Sequence, residues 1–183
     1  MSCPSSLSGF SFEAGFDFRA RIGFGWAMTS AQPLSGVIED GEHRLLVRVY
    51  YEDTDFTGLV YHANYLKFFE RGRSDYLRLL GVHHHELKAH EEQLAFAVVR
   101  IDVRYLRPAR IDDVITVRTR MAGMRGVQFF LDQVCELDGV KLCAARIDVA
   151  CINGEGKPRR LPKAFAEALN PLSADRPNPE KPA

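Results

Sequence analysis

An α+β domain, in which one long helix packs against a five-stranded antiparallel sheet, is the fold class this sequence predicts. Three observations carry the prediction. A single stretch keeps a helical period: Tyr65, Phe68, Phe69, Gly72, Tyr76, Leu79 and Leu80 recur at three- and four-residue steps. From Leu94 onward the period changes to two and stays there through four successive runs. Only one strand–helix unit precedes that series, which excludes a doubly wound parallel sheet.

Leu45–Tyr51 is short, β-branched and aromatic, and is read as the first strand. The helix is placed at roughly 61–80, with Gly72 in its middle at a cost of about 1 kcal/mol against Ala. A small residue there lets the helix lie close on a sheet. His83, His84 and His85 and the acidic stretch to Glu92 are read as a polar connection; consecutive residues diverge, so no metal site is expected. In the next run Ala97, Val99, Ile101, Val103 and Tyr105 form an expected buried face, opposite Val98, Arg100, Asp102 and Arg104. Pro108 ends or kinks that strand. Val114–Met121 and Val127–Leu137 follow, and Asp138-Gly139 signals a two-residue hairpin into Lys141–Asn153. Along that last strand Cys143, Ala145, Ile147, Val149 and Cys151 share one face. Pro162–Leu169 reads as a short helix.

The domain is thus assigned to residues 41–170. Residues 1–40 hold no sustained period and are read as a flexible or non-native extension, with Met28 as an alternative start. Residues 171–183 are Pro-rich and read as a disordered tail.

Twenty-four basic residues offset twenty-four acidic ones, so no global field attracts nucleic acid or an anionic membrane. No apolar run approaches the roughly 20 residues that span a bilayer. The N-terminus lacks a basic region, and Glu13 and Asp17 interrupt its apolar residues, so no secretory signal is read and a cytoplasmic location is expected. Cys135, Cys143 and Cys151 lie in strand-like runs without zinc-type spacing and are expected to be small buried apolar residues.

The chemistry concentrates between the first strand and the helix. Asp53-Thr54-Asp55-Phe56-Thr57-Gly58-Leu59-Val60-Tyr61-His62-Ala63-Asn64-Tyr65 sets two carboxylates, hydroxyls and an imidazole beside a helix start. Free N–H donors at such a start suit an oxyanion. Asp53-Thr54-Asp55-Phe56-Thr57 also matches a D-x-D-x-[TV] phosphatase nucleophile motif, but that chemistry needs a parallel sheet, which the antiparallel runs contradict.

The stretch from Tyr51 to Asp55, continued by Gly58–Arg71, resembles the signature of the 4-hydroxybenzoyl-CoA thioesterase family, above all its Tol-Pal-associated, YbgC-like acyl-CoA thioesterase branch. Arg104–Asp113 and Gly156–Pro162 extend the likeness, which covers about residues 44–162. The resemblance implies a hot-dog fold, homodimers or homotetramers with sites at a subunit interface, and hydrolysis of an acyl thioester of coenzyme A or of acyl carrier protein. It implies Asp55 as the catalytic carboxylate, general base or nucleophile, and the His62 backbone N–H as the group polarising the carbonyl. Asp53 is read as structural. Tyr61, Asn64, Arg107 and Arg110 are the candidate substrate-binding residues, with Lys157, Arg159 and Arg160 an alternative cation cluster for the coenzyme phosphates. No metal or other cofactor is expected. The rival reading is a non-catalytic module that binds acyl-CoA or a protein of the Tol-Pal system. A dehydratase is disfavoured by the missing His-Phe-Pro motif.

Overall fold

The computed structural model describes residues 34–169. The expectations for residues 1–33 and 171–183 lie outside the described residues.

The sheet has six strands rather than five. Two strands precede the Asp53–Tyr65 stretch: β1 (Val37–Glu39) and β2 (Glu42–Arg48). The helix α1 (Asn64–Leu79) follows, then a short α2 (His84–Ala89). The series closes with β3 (Ala95–Tyr105), β4 (Val114–Arg125), β5 (Gln128–Leu137), β6 (Val140–Ile152) and α3 (Lys163–Leu169). Strand order is β1-β2-β4-β5-β6-β3, and every pairing is antiparallel. The added strand β1 falls within the stretch assigned to the extension. Three residues are too few to show a period, so only its pairing with β2 reveals it.

Helix α1 lies across β2, β4 and β5. Tyr65, Phe68, Phe69, Gly72, Tyr76 and Leu77 are its buried side. Leu79, placed on that stripe from sequence, is 45% exposed; in the last turn Tyr76 and Leu77 are the buried residues and Leu79, the final helical residue, lies off that side. Gly72 does what its size suggests. A Cβ at this position would sit 2.8 Å from Val117 Cγ1 and 2.9 Å from Thr119 Oγ1, so the helix backbone meets the sheet here. Close by, Gln133 donates to the Phe69 carbonyl (2.9 Å) and to Thr119 Oγ1 (2.7 Å), so a buried amide ties helix to sheet.

The β5–β6 hairpin turns at Asp138-Gly139, both with positive φ (50° and 79°), the geometry that two-residue turns need to match strand twist. Cys143, Ala145, Ile147, Val149 and Cys151 all face the core as expected. Cys135 and Cys143 stand opposite each other in the β5–β6 register, and both are buried free thiols. Burial pushes the Cys143 thiol up to about 12 and the Cys135 thiol further, which makes both inert.

The opposite face of the sheet is charged. Arg118 on β4 donates to both oxygens of Glu42 on β2 (2.5 Å each) and to Glu136 on β5 (3.1 Å), while Arg146 on β6 pairs with Asp132 on β5 (2.8 Å).

Strand β3 departs from its reading. Val99, Ile101 and Tyr105, expected to be buried, are 52%, 36% and 48% exposed, and Val98 on the other side is 43% exposed. The reason is position: β3 is an edge strand paired only with β6, and α1 packs on β2, β4 and β5 instead. The His83–Glu92 connection is also more ordered than a loop, since α2 forms within it and His83 and His85 stack with ring centroids 5.4 Å apart.

Candidate active site

Between β2 and α1 the chain makes a single 3-10 turn at Tyr51–Asp53 and then a small closed loop. Thr54 and Val60 form an isolated antiparallel bridge, and the Asp55 N–H donates to the Leu59 carbonyl at 2.9 Å. The same loop is pinned from outside by a Leu59–Arg110 bridge and by Val60 N–H on the Ala109 carbonyl (2.9 Å). The acidic loop and the β3–β4 connection are thus one backbone unit.

The two carboxylates have opposite fates. Asp53 is 2% exposed; its Oδ2 accepts the Tyr50 N–H at 3.0 Å, and its carbonyl accepts the Tyr61 N–H at 2.9 Å. It holds the turn. Asp55 is exposed, and Oδ1 accepts both the hydroxyl and the N–H of Thr57, at 2.5 and 2.8 Å. These donors hold its carboxyl below the ordinary value, so it is charged at neutral pH.

Helix α1 begins three residues later than the expected start near Tyr61. The Tyr61 N–H is already committed to Asp53, and Asn64 N–H closes a turn on the Tyr61 carbonyl (2.8 Å), so Tyr61–Ala63 is a turn and Ala63 the cap. Ala63 offers no side-chain cap and the first helical turn carries no acidic residue. Among the described residues, the N–H groups of His62 and Ala63 have no backbone carbonyl partner. An uncapped helix start with free donors is an anion-stabilising site.

The His62 ring is exposed, 4.4 Å from the Tyr61 ring and 6.1 Å from that of Tyr105. The Tyr105 hydroxyl donates to the His62 carbonyl (3.1 Å), turning that oxygen toward β3. Tyr65 is buried, and its hydroxyl accepts the Ala109 N–H at 2.9 Å. Asn64 faces inward: its amide donates to the carbonyls of Asp53 (2.9 Å) and Glu52 (3.3 Å). Arg107 and Arg110 are exposed on the connection bonded to the loop, and among the described residues their guanidinium groups have no carboxylate partner. In the alternative cluster Lys157 pairs with Glu155 (2.8 Å) and Arg159 with Glu92 (2.6 Å).

The structure therefore brings Asp55, Tyr61, His62 and the Arg110 backbone onto one loop system and turns Asn64 inward to support it. Sequence reasoning passed over Thr57 as a partner of Asp55 and placed Tyr105 in the core. A hydroxyl two residues after the carboxylate was the signal available for Thr57; for Tyr105 there was none, because its partner lies 43 residues away.

No helix of the described residues is long and apolar enough to cross a membrane, and no three His, Cys, Asp or Glu side chains among them cluster as for a metal.

Comparison with known proteins bears on the same residues. Residues 49–169 match the model of the thioesterase-like superfamily. The acyl-CoA thioesterase YbgC of Haemophilus influenzae is 41% identical over 127 residues, 69% of this chain and 93% of that protein. A probable thioesterase from Bartonella henselae is 45% identical with a TM-score of 0.64, over 66% of this chain and 99% of its own. A thioesterase from Thermus thermophilus, crystallised with coenzyme A and zinc, is 27% identical with a TM-score of 0.62, over 74% of this chain and 96% of its own. The sheet and helix described above are the hot-dog fold of these neighbours, and the chain belongs to the thioesterase-like superfamily.

Proposed function

We propose that this chain hydrolyses acyl thioesters of coenzyme A, with acyl carrier protein thioesters as further substrates. The observation that carries the reading is the pairing of an exposed, ionised Asp55 with a helix start whose cap, Ala63, lies eight residues on and offers no side-chain hydrogen bond. The names of the Haemophilus influenzae relative and of the coenzyme A-bound neighbour support it.

In this reading the thioester carbonyl accepts the His62 N–H, and the positive end of α1 favours the negative oxygen that develops there. Asp55 then takes a proton from the water that attacks the carbonyl, or attacks the carbonyl itself to form a mixed anhydride that water hydrolyses. In either course the C–S bond breaks and coenzyme A leaves as the thiol, taking up a proton from Asp55 or water. The Tyr105 hydroxyl, by holding the His62 carbonyl, keeps the neighbouring peptide groups from turning their oxygens to the substrate. Arg107 and Arg110, free of carboxylates, meet the coenzyme phosphates. Asn64 acts on the loop and not on the substrate.

The site works as a homodimer in this proposal. An 11-residue edge strand with Val98, Val99 and Ile101 exposed is a template for a second copy of the chain. A cytoplasmic location is part of the same reading.

The test is purified protein against acyl-CoAs from acetyl to stearoyl, read as free thiol, beside Asp55→Asn. Turnover with at least one chain length, falling about 10²-fold or more in the variant, is expected. Binding without turnover by the wild type would favour the module that only binds.

A further inference from the structure

The two strongest donors on Asp55 come from one residue and go to one oxygen. The Thr57 hydroxyl lies 2.5 Å and its N–H 2.8 Å from Oδ1, while among the described residues no comparably short hydrogen bond reaches Oδ2. The turn that folds Thr57 back over the carboxylate is closed by the Gly58 N–H on the Asp55 carbonyl at 3.0 Å. We propose that Thr57 is a positioning residue for the reaction, fixing the plane of the Asp55 carboxylate so that Oδ2 alone is presented to the thioester or to water. This rests on the reading of Asp55 as the reacting carboxylate.

The backbone bond by itself would not suffice. An Asp accepting the N–H two residues on is a common turn, open to any residue at position 57. The terminal torsion of an Asp side chain is broad and roughly two-fold, so one donor leaves the two oxygens able to exchange. The hydroxyl adds a second donor to the same oxygen and removes their equivalence.

The charge state follows the geometry. The Thr57 hydroxyl is the largest cause holding the Asp55 carboxyl down, its N–H the next, and the Leu59 N–H adds a smaller pull against slight burial. No charged or titratable group on the neighbouring elements, Asp53, Tyr61, His62, Arg107, Arg110 and Asp113 among them, contributes to that lowering. Thr57 thus also sets the low-pH limit of activity, because a reacting carboxylate is lost as pH falls through its pKa.

The experiment compares Thr57→Val, which keeps the N–H and the volume but removes the hydroxyl, with Thr57→Ser, which restores it. Steady-state hydrolysis is followed across the acid limb, and the Asp55 carboxyl is titrated by carbon NMR. In Thr57→Val, kcat is expected to fall about 10-fold, the worth of one net hydrogen bond, with KM unchanged. The acid limb and the NMR midpoint move to higher pH, and Thr57→Ser brings all three back. Thr57→Ala, which also keeps the N–H, must agree with Thr57→Val. An acid limb and midpoint that stay in place, or a kcat within about 2-fold of wild type, would overturn the proposal. Failure of the Asp55 reading itself looks different: Asp55→Asn would then turn over normally, whatever Thr57→Val does.

Discussion

The side-chain amide of Asn64, on the first turn of α1, donates to the main-chain carbonyl of Asp53 at 2.9 Å, two residues before the exposed carboxylate. That bond and its companion on Glu52 set the distance between helix start and acidic loop. Asn64→Ala removes both donors from a buried position and is expected to cost about 1–3 kcal/mol in urea unfolding. If Asn64 acts on the loop, kcat falls while KM holds; a variant raised only in KM would return Asn64 to the substrate.

Gly72→Ala forces a methyl between α1 and β4, where Val117 and Thr119 stand under 3.0 Å away. The helix propensity gained, about 1 kcal/mol, is outweighed by overpacking of about 1–3 kcal/mol. A net loss in thermal unfolding is the expected result. A stabilised variant would mean that helix and sheet separate easily here.

Stability should decline in acid through Glu42. The hydrogen bond from Arg118 is the main cause holding its carboxyl below the usual value, against partial burial. A lowered folded-state pKa contributes stability that is present above the unfolded carboxylate value of about 4.3. It is lost as pH falls through the lower, folded value. Glu42→Gln is therefore expected to lower stability at neutral pH by about 1–3 kcal/mol and to flatten the acid slope of urea unfolding. An unchanged slope would show that the pair does not couple folding to protons.

Strand β3 predicts an assembly. Ile101→Lys places a cation on the exposed edge of each copy, and sedimentation is expected to show dimer affinity weakened at least about 10-fold. A wild type that sediments as an active monomer at micromolar concentration would remove the edge from the argument.

Much of this fold was legible because its signals are local. The Asp138-Gly139 hairpin, the inward face of β6 and the close approach at Gly72 each follow from residues within a few positions of one another. The features that were not legible depend on distant partners. Nothing in Val99 or Ile101 says that β3 will lie at the sheet edge, since that is decided by its pairing with β6 alone. Strand β1 is too short to carry a period. The helix start moved from Tyr61 to Asn64 because Asp53, outside the helical pattern, captures the Tyr61 N–H. The candidate site was legible as a set of residues but not as directions: Asp53 and Asp55 read alike in sequence, and only the 3-10 turn separates a buried brace from an exposed carboxylate.

The charged face of the sheet has a consequence for higher assembly. Glu42, Arg118 and Glu136 run across β2, β4 and β5, and Arg146 meets Asp132 farther along the same face. A tetramer that laid one such face on another would carry these ions into the contact and draw part of its cohesion from them. Added salt would then loosen it within a Debye length of about 8–10 Å, while the edge-paired dimer, held by backbone bonds and aliphatic side chains, would persist. Ionic strength is thus the variable that would separate a proposed tetramer from the proposed dimer.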